Sequence, residues 1–199
     1  MPRPREFDDA DVLEAATDRF WQHGYAGTSV RDLEQAMGVV PASLYNAFGS
    51  KHALFASCLD RYLDSNMCKR VARLEATKPP RAAIETFLNE IVSRSLSDSR
   101  GCLLVNSALE VAPHDAQVGA VIAARLAELE AFFRRCVAAG QRDGSIASRY
   151  PAEDLARLML TTVMGLRVLA RALPEPALLQ GAARQALALL DPPATGQPG

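Results

Sequence analysis

The chain has few of the residues that build sites of covalent chemistry. It carries four cysteines, Cys58, Cys68, Cys102 and Cys136, and three histidines in 199 residues. No two cysteines form a C-x-x-C pair, which argues against a zinc site and against a disulfide framework and fits a reducing cytoplasm. There is no Walker loop, no G-x-G-x-x-G and no H-E-x-x-H, so no motif for a nucleotide or a metal is present and no cofactor is implied. No apolar run approaches a membrane span. The N-terminus, Met1-Pro2-Arg3-Pro4-Arg5-Glu6, turns acidic at once, without the apolar core of a signal peptide. The formal net charge is -1, so bulk electrostatics select neither nucleic acid nor membrane, and any such binding must rest on local placement. No segment alternates apolar and polar residues with period two. What these absences leave is a cytosolic globular protein without strands.

What is present is helical period. Val12, Ala16 and Phe20 recur at four-residue spacing, with Asp8 and Asp9 at the favourable N-terminal end and His23-Gly24 as a stop. A second short helix runs from Thr28 or Ser29 to Met37 and ends at Gly38, with Ser29 and Asp32 spaced as a capping box. A third opens with Pro41 and closes at Gly49. Ser50 caps a longer helix that reaches Thr77 before Pro79-Pro80. Beyond that break, Ile84 to Val92 make one amphipathic helix and Cys102 to Val111 a short one. Val118 to Val137 make a long one, ended by Gly140, and Asp143-Gly144 then marks a turn. Leu155 to Leu169 and Leu179 to Leu190 supply the last two. The reading is an all-α protein of about nine helices. It divides into an N-terminal three-helix domain (1–50), a larger helical body (51–190) and a Pro- and Gly-rich tail (191–199) expected to be disordered.

Three short helices, the second and third joined by Gly38-Val39-Val40, have the proportions of a helix-turn-helix. At about 100° per residue, Val40, Leu44 and Phe48 share one face of the third helix, turned toward helices one and two. Ala42 and Asn46 point the other way, flanked by Ser43 and Tyr45. That outward face is small and hydrogen-bonding, and it suits a major groove about 12 Å wide. Net charge opposes the idea. Residues 1–60 hold five basic side chains (Arg3, Arg5, Arg19, Arg31 and Lys51) against nine acidic ones, giving -4. The acids concentrate on the first helix, which leaves Arg31, Lys51 and two helix N-termini, one of them at Ser29, near the groove face. A helical hairpin that only packs the core fits the same geometry.

The segment Ala16–Phe55, ATDRFWQHGYAGTSVRDLEQAMGVVPASLYNAFGSKHALF, resembles the N-terminal domain of the TetR family of bacterial transcriptional regulators. The match includes Phe20, Gly24-Tyr25, Thr28-Ser29-Val30, Gly38-Val39, Leu44-Tyr45, Phe48 and Ser50-Lys51. The resemblance implies that Thr28 and Lys51 bind phosphate and that Tyr45 reaches the DNA backbone. It also implies that Pro41, Ala42, Ser43 and Asn46 face base edges. Two positions depart from the family pattern: Val40, where the family often has Ser or Thr, and Ala47, where it often has His. The family further implies a homodimer that binds an operator duplex and answers a small-molecule effector.

The body carries little motif. Phe87, Phe132, Phe133 and Met159 are core residues before they are pocket residues, and Trp21 is packing. Asn106 and His114, polar residues on or beside an apolar segment, either satisfy backbone or orient a ligand, so with Phe87 they are effector candidates. Cys102 is a sensor candidate. It is expected in the first turn of a short helix beside Arg100, where both influences favour thiolate. The sequence Gly101-Cys102-Leu103-Leu104 resembles the corresponding helix of electrophile-responsive TetR-type repressors, and the rival reading is a buried, inert thiol. Cys102 and His114 as an enzymatic pair would stand roughly 15 Å or more apart on a regular helix, too far for a base to reach its nucleophile. For the dimer interface the candidates are Leu155, Leu158, Thr162, Gly165, Leu166 and Leu169 on one helix, with Ala183 and Leu187 on the next. A constitutive DNA-binding protein with a filled body remains the alternative to an effector-responsive one.

Overall fold

The computed structural model describes residues 9–39 and 46–192. In chain order the helices are α1 (Asp9–His23), α2 (Val30–Met37), α3 (Lys51–Leu63), α4 (Lys69–Thr77), α5 (Pro80–Ser97), α6 (Leu103–Glu110), α7 (Ala116–Asp143), α8 (Ala152–Ala172) and α9 (Pro176–Ala188). Among the described residues there is no strand, so the all-α class and the helix count expected from periodicity are both met. The third expected helix lies mostly outside the described residues, and its residues 46–48 are helical. No described helix is long and apolar enough to cross a membrane.

The chain forms two compact units. One runs up to Asn66 and adds Cys102–Ile122; the other takes Met67–Gly101 and the chain from Ala123 onward. The boundary expected at residue 50 therefore falls inside the first unit, which also holds α3 and α6. In that unit the four-residue spacing of Val12, Ala16 and Phe20 puts one stripe of α1 inward, against α2 and α3. Phe20 meets Phe55 edge-on at 5.1 Å, and Trp21 meets Tyr62 at 5.0 Å. Leu33, Leu54, Phe55 and Leu59 complete the core. Each such side chain withdrawn from water contributes about 1.5–3 kcal/mol before its ordering entropy is subtracted.

The second unit is built on α5, α8 and α9, which pack on one another, with α4 against α5. Its centre is a triad of rings: Phe87 lies 5.6 Å from Phe132 and 5.4 Å from Phe133, which are 5.1 Å apart. Two arginines are buried here beside aromatic or polar partners. Arg70 stands over the Phe87 ring at 5.5 Å and pairs with Glu90 at 3.3 Å. Arg167, on the inward face of α8, donates from Nη1 to Ser95 Oγ at 3.1 Å. Burial of a guanidinium needs such partners, because its desolvation is otherwise uncompensated.

Two helices end differently from expectation. The helix capped by Ser50 does not run unbroken to Thr77: Asp64–Cys68 form a π turn between α3 and α4. Within that turn the Asn66 Nδ2 donates to the Tyr62 carbonyl at 3.1 Å. The long helix does not stop at Gly140 either; α7 continues to Asp143 and ends before Gly144. Gly140 serves close packing instead. A Cβ there would lie 2.6 Å from both Cγ1 and Cδ1 of the buried Ile146.

Gly140→Ala tests that contact. Overpacking costs about 1–3 kcal/mol and should outweigh the gain of at most about 1 kcal/mol in helix propensity. Urea unfolding should show a net loss of roughly 1 kcal/mol that shrinks when Ile146 is also replaced by Ala. A Gly140→Ala protein as stable as the parent would contradict it. The cysteines give a second test. Burial pushes the Cys58 and Cys136 thiols up to about 11, so below that range they remain neutral and unreactive. In the native protein at about pH 8, iodoacetamide should label Cys68 and Cys102, which are only half-buried, well ahead of Cys58 and Cys136. Equal labelling of all four would show that the two buried sites open to solvent.

Candidate nucleic-acid interface

The site begins where α1 ends. The Gly24 N–H donates to the Phe20 carbonyl at 2.8 Å and the chain turns at Tyr25. Thr28, expected to bind phosphate, is wholly buried, and its hydroxyl donates to the Gly24 carbonyl at 2.7 Å. Its side chain closes the turn that launches α2. Ser29 then caps α2 in the reciprocal manner the S-x-x-D spacing indicates. Its Oγ accepts from the Asp32 N–H at 3.1 Å, and its own N–H donates to Asp32 Oδ2 at 2.8 Å. The Ser29 hydroxyl also donates to Asp32, which, with the Ser29 N–H and Arg19 at 3.0 Å, holds the Asp32 carboxyl below its usual range. Arg31 stands exposed on α2.

Gly38 ends α2 in the left-handed conformation, its N–H donating to the Glu34 carbonyl. Pro41, Ala42, Ser43 and Tyr45 lie outside the described residues, as do Val40 and Leu44. Asn46 and Ala47 are exposed and Phe48 is half-buried. Ser50 caps α3 by accepting from the Ala53 N–H at 3.0 Å. Lys51, in the first turn of α3, places its ammonium 4.3 Å from the centroid of the Tyr25 ring, and that ring packs on Phe55 at 4.9 Å. The lysine is thus anchored by its aromatic neighbour while its charge stays at the surface. The head thus carries two hydroxyl-capped helix starts, with Arg31 and Asn46 exposed and Lys51 on its aromatic anchor.

Sequence reasoning missed three residues that hold this head. The Glu110 carboxylate accepts from the N–H groups of Tyr25 and Ala26, at 3.2 and 2.8 Å. His52 Nε2 lies 2.5 Å from Asp115 Oδ2. Nothing local marks Glu110, whose partners are 84 and 85 residues away.

The body candidates separate. Cys102 is the N-cap of α6 rather than a member of its first turn, and it accepts a hydrogen bond from Tyr62 Oη at 3.6 Å. The guanidinium of Arg100 is engaged by Asp98, with contacts from 2.8 to 3.1 Å. Asn106 lies one turn along α6 from Cys102, half-buried. His114 is exposed in the turn between α6 and α7, beyond the end of α6 opposite Cys102. Phe87 belongs to the other unit, inside the ring triad. Of the interface candidates, Leu155, Leu166, Ala183 and Leu187 turn inward and are core of their own chain, because α8 and α9 pack on each other and on α5. Leu158, Gly165 and Leu169 are exposed and Thr162 is half-exposed, and Val168 and Leu173 are exposed as well.

The chain is similar to known proteins over most of its length. The family model for bacterial regulatory proteins of the tetR family matches residues 12–58, and that for the tetracyclin repressor-like C-terminal domain matches residues 81–186. An uncharacterized HTH-type transcriptional regulator, YezE of Bacillus subtilis, is 31% identical over 194 residues, which are 96% of this chain and 100% of that one. The HTH-type transcriptional repressor ComR of Escherichia coli is 30% identical over 172 residues, 85% of this chain and 82% of that one. Among solved structures, a cysteine-substituted form of the TetR family regulator CifR, complexed with 26-bp double-strand operator DNA, superposes with a TM-score of 0.84. It shares 35% identity, with 94% of this chain and 99% of that one covered. The chain belongs to the TetR family of bacterial regulatory proteins and is a helix-turn-helix transcriptional regulator.

Proposed function

We propose that this regulator is a cytoplasmic repressor that binds a short inverted repeat as a homodimer and is released by a small-molecule effector. The observation that carries the DNA-binding part is the head itself: two hydroxyl-capped helix starts, Arg31, Lys51 on its aromatic anchor and an exposed Asn46. The related CifR structure contains operator duplex, which supports the same use of the head here. In this reading Lys51 and Tyr45 meet the DNA backbone while Pro41, Ala42, Ser43 and Asn46 face bases. Ser29 and Thr28 set the start of α2 so that its amides can approach phosphate.

Dimerisation in this reading uses the exposed stripe of α8, Leu158, Thr162, Gly165 and Leu169, extended by Val168 and Leu173. Leu158, Val168, Leu169 and Leu173 are exposed in the single chain, and burying such apolar side chains favours association. An effector acts by binding one spacing of the two heads better than the other. Cys102 is the favoured sensor position, because it stands at the start of α6 in contact with the Tyr62 hydroxyl, so a thiol adduct would disturb α3 and α6 together.

Mobility shifts on a selected duplex and a scrambled one, over a series of salt concentrations, test the head. Lys51→Ala should weaken both and reduce the salt slope by about 1, and Tyr45→Phe should weaken both. Ser43→Ala and Asn46→Ala should each cost about 1–3 kcal/mol on the selected duplex alone. Unchanged affinity for Tyr45→Phe and Lys51→Ala together would remove DNA contact from this segment. Sedimentation tests the stripe: Gly165→Arg should give a folded monomer with weakened operator binding, and a folded variant that stays dimeric would place the interface elsewhere.

A further inference from the structure

We infer that Glu110 is a positioning residue for operator binding: its carboxylate fills a nest of backbone amides at the end of α1 and holds the turn from which α2 starts. The inference rests on the reading that the head binds DNA. It stands on four observations, all within the first compact unit.

The first is the nest. Gly24 has φ of +78°, and the next two amides, those of Tyr25 and Ala26, both donate to the carboxylate, one to each oxygen. Successive amides in such a turn form a concavity that favours an anion, and charge-assisted bonds are the strong kind. The second is the closeness of the fit. A Cβ on Gly24 would lie 2.7 Å from Glu110 Oε2 and 3.0 Å from Oε1, so a side chain there would meet both the unfavourable φ and the carboxylate. The third is that α6 does not account for an acid at this place. Glu110 is its last residue, where the helix dipole disfavours negative charge. The Tyr25 and Ala26 amides offset that cost.

The fourth is a companion contact on the far side of the same corner. Asp115 caps α7 by accepting from the Gln117 and Val118 N–H groups at 3.0 Å, and its other oxygen meets His52 on α3. The corner from Glu110 to Asp115 therefore holds the turn before α2 and the first turn of α3. Those are the two ends of the segment that contains every DNA-facing candidate. Gly24 also receives the Thr28 hydroxyl, and Thr28 immediately precedes the Ser29 cap. A shift of α6 would thus reach the start of α2 through five consecutive residues and one carboxylate.

The test uses the full-length protein and a duplex recovered by the wild type from a randomised pool. Glu110→Gln keeps the shape but sets an amide donor against one of the two N–H groups. Hydrogen exchange at the Tyr25 and Ala26 amides should rise about tenfold while the core amides of Leu33 and Leu59 hold their protection, and operator affinity should fall about tenfold. Glu110→Ala empties the nest. It should lose affinity likewise and regain part of it in sodium formate, but not in sodium chloride of equal ionic strength. Wild-type affinity in either variant overturns the inference, as does exchange that rises equally across α1, α2 and α3 with no rescue by formate. If the wild type recovers no duplex from the pool, the DNA-binding reading fails by itself. The exchange at Tyr25 and Ala26 then decides the amide contact alone.

Discussion

The contact among Phe20, Tyr25 and Phe55 is the constraint on which the outward geometry of the head depends. Phe20 comes from α1, Phe55 from α3 and Tyr25 from the turn between α1 and α2, so three segments share one aromatic cluster. Aromatic pairs of this kind add about 0.5–1.5 kcal/mol beyond the area they bury. The same Tyr25 ring receives the Lys51 ammonium, and the Tyr25 backbone N–H reaches Glu110. One residue therefore links the apolar core of the head, the cation at its surface and the last residue of α6. A displacement of that residue would be felt at all three.

The charge of the head makes sense on the same local scale. An excess of four acids over the first sixty residues would repel a polyanion if the acids acted at long range. Asp32 is committed instead to the Ser29 cap and to Arg19. In the proposed reading, DNA binding by such a head would rely on amides and hydroxyls held in place rather than on a basic field. Its dependence on salt should accordingly be shallower than that of a protein with many phosphate-bound cations.

Much of this was legible in the sequence where the cause is local. The capping box at Ser29 and Asp32, the Ser50 cap, the Gly38 stop and the four-residue stripe of α1 all follow from neighbours within one turn of helix. So does the resemblance that marks the head. Illegible features have distant causes. Gly140 read as a helix stop because its reason for being glycine is Ile146, across a turn, and not the helix it sits in. Leu155, Leu166, Ala183 and Leu187 share helical period with the exposed residues of α8 and α9, and only the packing of α5, α8 and α9 sorts inward from outward. The bond from the Thr28 hydroxyl to the Gly24 carbonyl depends on the turn between them and has no sequence signature. Glu110 carries no motif at all, and its partners become visible only in the fold.

In the proposed reading two such heads are held at a fixed separation on one dimer. Half-sites about 34–36 Å apart, one helical turn, should then be read together. The direct measurement is affinity for an inverted repeat as its spacer is lengthened. Inserting about 5 bp carries one half-site to the opposite face of the duplex, and affinity should drop to that of a single half-site. Affinity that ignores the spacer would show that the heads bind independently, and the account of a rigidly spaced dimer would be wrong.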